Sequence, residues 1–212
     1  DANRNHGTTN TQEQDVDEGD LIKTDGKYLY VTRRNNSVVS IVDVQNNKLE
    51  KISQIEIDAD EDIQEIYLNG DKLIIIGVAY DTTYGSTDDT TNSARVYTSD
   101  MAFGIGNAFV KIYDISNVKE PKFVTEYSQH GQSRNSRMIG TKLYTISEYR
   151  VNVYSDDYRD GCIPEVTVND VCEPIPAGCI SIIDESPSTT YAVITTVDLS
   201  KGDDPESEAI LG

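Results

Sequence analysis

From Leu21 onward the chain is a succession of short apolar runs, each broken within a few positions by Gly, Asn or Asp. Val, Ile, Tyr and Thr fill the runs, and these residues suit a pleated surface. No window of about a dozen residues keeps a 3.6-residue apolar period, so the pattern predicts strands and little helix. Strands are expected at about 20–24, 27–33, 37–44 and 49–57, then 62–68, 71–79, 106–115 and 121–128, then 134–139, 141–148, 189–199 and 206–211. The continuous apolar stretch from Leu73 to Ile76 implies a strand covered on both faces, as in sheets stacked between neighbours.

The runs repeat. A turn followed by a Lys-led apolar run reads Asp25-Gly26-Lys27-Tyr28-Leu29-Tyr30-Val31, then Asn69-Gly70-Asp71-Lys72-Leu73-Ile74-Ile75-Ile76, then Ile139-Gly140-Thr141-Lys142-Leu143-Tyr144-Thr145-Ile146. Each phrase is followed by a strand ending in Asp plus an aliphatic residue: Val42-Asp43-Val44, Tyr113-Asp114-Ile115 and Val197-Asp198-Leu199. Such self-similarity marks a unit that cannot bury its apolar face alone and stacks on the next. Four antiparallel strands per unit, in tandem, predict an all-β fold and specifically a β-propeller. The expected layout is an extended N-terminal arm over 1–19 and a partial propeller over 20–212, with blades at about 20–60, 61–131 and 132–212. Propellers typically close with four to eight blades. Three blades therefore form an incomplete ring, and the remaining blades of a longer protein are the expected partners of its open faces.

The units differ mainly in one connection. The Lys of the second strand and the Asp of the third lie 16 residues apart at 27 and 43, 42 apart at 72 and 114, and 56 apart at 142 and 198. The insertions, about 80–104 and 149–188, fall in the same connection of the repeat and should emerge on one face. Loops this long in compact domains are usually functional or disordered, and insertions sharing one face of a repeat protein often mark its binding side.

Composition narrows the functions. The 212 residues carry 37 Asp and Glu against 18 Lys and Arg, a formal charge of −19. That surface repels phosphate backbones and argues against nucleic-acid binding. No apolar run approaches the roughly 20 residues of a membrane-spanning helix. The three cysteines, Cys162, Cys172 and Cys179, crowd into the second insertion with a spacing that matches no common zinc pattern. One local disulfide with a leftover thiol, or three thiols, are the alternatives. A Cys162–Cys172 bridge is expected, since a long loop needs pinning against its conformational entropy.

The stretch Thr9-Asn10-Thr11-Gln12 through Val16-Asp17-Glu18-Gly19-Asp20-Leu21-Ile22-Lys23-Thr24-Asp25-Gly26-Lys27 resembles the signature "TN-x-Q…VDE-x-D-(I/L)-(I/V)-K-T-D-G" of secreted bacterial proteins with a C-terminal β-propeller domain, distantly similar to WD-type propellers. Ser136-Arg137-Met138-Ile139-Gly140-Thr141-Lys142-Leu143-Tyr144 is similar to the family's "S-R-M-I-x-x-K-L-Y" element, and Thr190-Tyr191 through Leu199 to its later strand. Gly19 stands where Ala is expected. The resemblance implies a bacterial, exported or cell-surface propeller and carries no assigned reaction.

Candidate chemistry is sparse. The acids Asp15, Asp17, Glu18 and Asp20 suggest a calcium loop, the one cofactor this sequence hints at, although the EF-hand order of ligands is not met. Their structural alternative is capping of turns before the first strand. The tyrosines of the insertions, Tyr80, Tyr84 and Tyr97 in the first and Tyr149, Tyr154 and Tyr158 in the second, lie among Asp and Asn and suit sugar or peptide contacts. They equally suit anchoring each loop to the sheet. No catalytic residue is assigned: no Gly-x-Ser-x-Gly elbow exists, and His130 reads as an exposed turn residue. Asp43, Asp114 and Asp198 read as turn-makers that accept local backbone N–H bonds. The expectation is a non-enzymatic binding or scaffold module for protein or glycan. The alternative is a secreted hydrolase whose site lies partly on later blades.

Overall fold

The structure, a computed structural model, describes residues 16–34, 36–80, 106–151, 162–183, 188–201 and 204–212. These residues form sixteen strands and two short 3-10 turns, Gln45–Asn47 and Ala177–Cys179, with no α-helix among them. The first sheet contains β2 (Ile22–Thr24), β3 (Tyr28–Val31), β4 (Val38–Asp43) and β5 (Glu50–Glu56), in chain order and antiparallel. The second is built on β6 (Glu61–Asn69), β7 (Lys72–Ala79), β8 (Asn107–Asp114) and β9 (Lys122–Gln129). The third is built on β10 (Gln132–Ile139), β11 (Lys142–Arg150), β15 (Thr190–Asp198) and β16 (Pro205–Leu211). The three Lys-led strands fall in three separate sheets, as the repeat requires. The sheets are the blades of an incomplete propeller, and none closes into a ring.

Turn chemistry explains the repeated phrase. In blades two and three the first hairpin turns over Gly70-Asp71 and Gly140-Thr141, between the paired residues Asn69 and Lys72 and between Ile139 and Lys142. Gly70 and Gly140 have φ of +56° and +60°, yet a Cβ at either would meet nothing within 4 Å. The glycine is there for its backbone conformation, not for space. The repeated Asp accepts the predicted bond in every blade. Asp43 Oδ1 takes the Gln45 N–H at 2.8 Å, Asp114 Oδ1 that of Ser116 at 2.8 Å, and Asp198 Oδ1 that of Ser200 at 3.1 Å. The next residue then ties back to the first hairpin, Val44 N to Lys27 O, Ile115 N to Asp71 O and Leu199 N to Thr141 O, at 2.8–3.0 Å.

Blade two is covered on both faces. Leu73 and Ile75 pack with Tyr30, Val39 and Ile41 of blade one, whereas Ile74 and Ile76 pack with Met138, Leu143 and Val197 of blade three. Alternate side chains of a strand point to opposite faces, so an unbroken apolar run is what a sandwiched strand needs. Blade three buries Leu143, Thr145 and Ser147 of β11 towards blade two and leaves Ile146 on its other face 37 % exposed.

Two features depart from the sequence reading. The end of the arm is docked: β1 (Val16–Asp17) pairs with Ile139 and Met138 of β10, and Asp20 makes a bridge to Ile66 of β6. One short segment thus ties the first strands of blades two and three together. Second, residues 162–183 of the second insertion are not a loop standing on one face. They form β12 (Glu165–Val168), β13 (Val171–Pro174) and β14 (Ile180–Ile182). The β12–β13 hairpin extends blade two beyond β9, and β14 runs parallel to β16 at the outer edge of blade three. Val-Thr-Val-Asn-Asp-Val-Cys over 166–172 carried the signal. It is an alternating run across a two-residue turn, and Asn169 and Asp170 adopt φ of 44° and 69° as a hairpin turn of that length requires.

Candidate functional site

The seam between blades two and three combines buried polar chemistry, aromatic stacking and an open groove. At its centre lies Gln129, the last residue of β9 and 1 % exposed. Its Nε2 donates to Ser147 Oγ at 2.8 Å and to the Val193 carbonyl at 3.0 Å, and its Oε1 accepts from Thr145 Oγ1 at 3.0 Å. Ser147 in turn donates to the His130 carbonyl at 2.6 Å. A buried amide with these groups satisfied fixes one blade against the other.

His130 follows in the turn into β10. It is not the exposed residue the sequence suggested: its ring lies 4.9 Å from that of Tyr149, which stacks on Tyr191 with centroids 6.4 Å apart. Its Nε2 is 3.6 Å from a Glu165 carboxylate oxygen, and its Nδ1 is buried with no hydrogen-bond partner among the described residues. Burial lowers the imidazole below its ordinary value, and Glu165 opposes that shift. Glu165 Oε2 also accepts from the Cys172 thiol at 3.2 Å.

Outward from this cluster, a groove of about 560 Å³ separates the β12–β13 hairpin from the first half of β16. Val166, Val168, Val171 and Ile175 supply apolar wall, and Glu173, Glu206 and Glu208 supply acid. Among the described residues, no Lys or Arg lines it. Open grooves of this size, mainly apolar with a few polar groups, are the usual form of a binding site.

The residues singled out in the sequence fare unevenly. Tyr149 joins the aromatic stack and packs against the cluster around Ile175, Tyr191, Val193 and Ala209, which is the anchoring role. Tyr80 lies just past β7 at the root of the first insertion, its N–H bonded to the Asp60 carbonyl at 3.0 Å. β7 and β11 are equivalent strands and both insertions leave from their far ends, so the two roots share a face. Tyr84, Tyr97, Tyr154, Tyr158 and Asp15 lie outside the described residues. Asp17 pairs with Lys23 at 2.8 Å, Glu18 with Arg137 at 3.3 Å, and Asp20 accepts its neighbour's N–H at 2.6 Å. The three carboxylates thus serve different partners, and no group of three metal-type donors converges among the described residues.

No disulfide joins the three cysteines, so the expected Cys162–Cys172 pair is not formed. Cys172 sits exposed on β13 with its thiol directed at Glu165. Strand pairing with β9 and β16, rather than a bridge, pins the insertion. Gln129 and Glu165 were missed because their role depends on a neighbouring blade, which no local pattern records.

A family model described as a beta propeller domain matches residues 6–212. The chain belongs to that family. No curated protein matches it. The groove lies where blades two and three meet at their outer strands.

Proposed function

We propose that this propeller is a non-enzymatic binding or scaffold module that takes protein or glycan outside the cell or at a bacterial surface. The observation that carries the reading is the groove at the seam of blades two and three, one wall of which is built by residues inserted into the repeat. A repeat unit needs only its four strands, and β12 and β13 are additions that shape one wall of a concave surface. Extracellular placement is supported by the resemblance of residues 9–27 to the signature of secreted propellers. Tyr84, Tyr97, Tyr154 and Tyr158, set among Asp and Asn in the two insertions, are proposed as further ligand contacts on their chemistry alone.

The test is a binding screen of the full chain against glycan and peptide panels, with calcium and with chelator, beside turnover assays on esters, glycosides and peptides. Saturable binding without turnover is the expected result. Turnover abolished by substituting a single acid or histidine would overturn the reading in favour of a hydrolase.

A further inference from the structure

The groove has an unusual border. On the far side of β16 from β15, β14 pairs with Ala209, Ile210 and Leu211 only. The same edge of β16 continues through Pro205–Glu208 with no strand beside it among the described residues. Opposite stands β13, the outermost strand of its sheet, exposed along its whole length and carrying Val171 at 60 % exposure. An open strand edge presents backbone donors and acceptors that a further extended segment can pair with, and proteins usually blunt such edges. Here β14 shows that this very edge takes an added strand a few residues further along.

Resting on the binding-module reading above, we infer that the groove takes an extended, Lys- or Arg-bearing segment of a partner protein, added as a strand beside Glu206–Glu208 of β16. Three observations set the chemistry of the occupant. The edge of β16 calls for extended backbone: Ser207 turns its N–H and carbonyl outward, in phase with Ala209 and Leu211 beside β14, Pro205 turns out a carbonyl alone, and Glu206 and Glu208 turn their backbone groups inward to β15. Val168, Val171 and Ile175 call for apolar side chains on the inward-facing positions, which alternate along a strand. Glu173, Glu206 and Glu208, with no cation among the described lining residues and a chain charge of −19, call for basic residues on the other positions and repel an acidic segment. The unpaired stretch of four residues spans about 13 Å, enough to pair with a segment of similar length.

The experiment uses the full chain and two capped, fluorescein-labelled peptides, one alternating Val with Lys and one alternating Val with Glu, followed by fluorescence anisotropy. The Lys peptide should bind, more weakly as salt rises, and the Glu peptide should not. Glu206→Lys with Glu208→Lys should weaken the Lys peptide by about tenfold or more and give the Glu peptide measurable affinity. Both glutamates are exposed, so the variant should keep the parent's circular dichroism and melting temperature. Hydrogen exchange should slow at the Ser207 amide, which faces the open edge, when the Lys peptide is bound. Equal affinity for both peptides, indifference to the charge reversal, or protection elsewhere would overturn the assignment. A dimer that dissociates on charge reversal would assign the groove to a second copy instead and overturn it as well. If a glycan or protein from the screen binds the parent and the variant equally, the groove assignment fails while the binding-module reading stands.

Discussion

Replacing Gln129 by Leu should cost the fold about 2–3 kcal/mol, because the seam between blades two and three is held by hydrogen bonds as well as by packing. Leu keeps most of the side-chain volume and removes both polar ends. Three hydrogen bonds disappear, at 2.8, 3.0 and 3.0 Å. At a net value of about 1 kcal/mol each for buried neutral pairs, the full loss is about 3 kcal/mol. Thr145 keeps a second acceptor, the Thr195 carbonyl at 3.5 Å, and Ser147 still donates to the His130 carbonyl at 2.6 Å, which trims the figure towards 2 kcal/mol. Urea unfolding followed by circular dichroism measures the change, as a lower midpoint with an unaltered slope. For a chain of this size the same loss lowers Tm by roughly 4–12 °C. Adding Thr145→Val to Gln129→Leu removes a hydroxyl left with only its long 3.5 Å bond to the Thr195 carbonyl and should recover about 1 kcal/mol, since taking away both partners costs less than taking away one. A Gln129→Leu effect below about 0.5 kcal/mol, the range of an ordinary surface change, would show that apolar packing alone holds the seam and refute the reasoning.

Three further outcomes follow from the same structure. Ile74→Ala and Ile75→Ala should each cost about 2–5 kcal/mol in urea unfolding, since both side chains are fully buried on opposite faces of β7; a one-sided strand would spare one of them. Asp198, whose carboxylate is held down to about 2 by Ser200 and Thr141, should show an NMR titration midpoint near that value, rising with Ser200→Ala; its contribution to stability is present above the ordinary value of 3.8 and lost as pH falls towards 2. His130, lowered by burial, favours the fold as the neutral imidazole, so stability should be full above its ordinary value of 6.5 and decline as pH falls through the lower folded value. His130→Phe should flatten that part of the Tm-against-pH curve, and an unchanged slope would count against burial as the cause.

Much of the architecture is legible along the chain because its determinants are local. A Gly-containing turn, a Lys-led apolar run and an Asp that accepts the N–H two residues on each act within a few positions, so their recurrence reveals the blades and their strand bounds. The unbroken run at Leu73–Ile76 even shows that blade two has neighbours on both faces, because alternation is absent only where both faces are dry. The fate of the insertions is a different kind of fact. Nothing local says that Val166–Val168 will pair with Tyr127–Gln129, or that Ile180–Ile182 will lie parallel to Ala209–Leu211, since strand pairing depends on which edges the rest of the fold leaves open. The same holds for charge and burial. Asp17, Glu18 and Asp20 read as one acidic cluster in sequence, but docking on β6 and β10 gives each its own partner, and His130 reads as a turn residue until Tyr149 and Glu165 close over it. Sequence alone determined the blades, whose bonds span short distances along the chain. Tertiary structure alone decided the seam, the groove and the pairing of charges, because those contacts join residues that only packed sheets bring together.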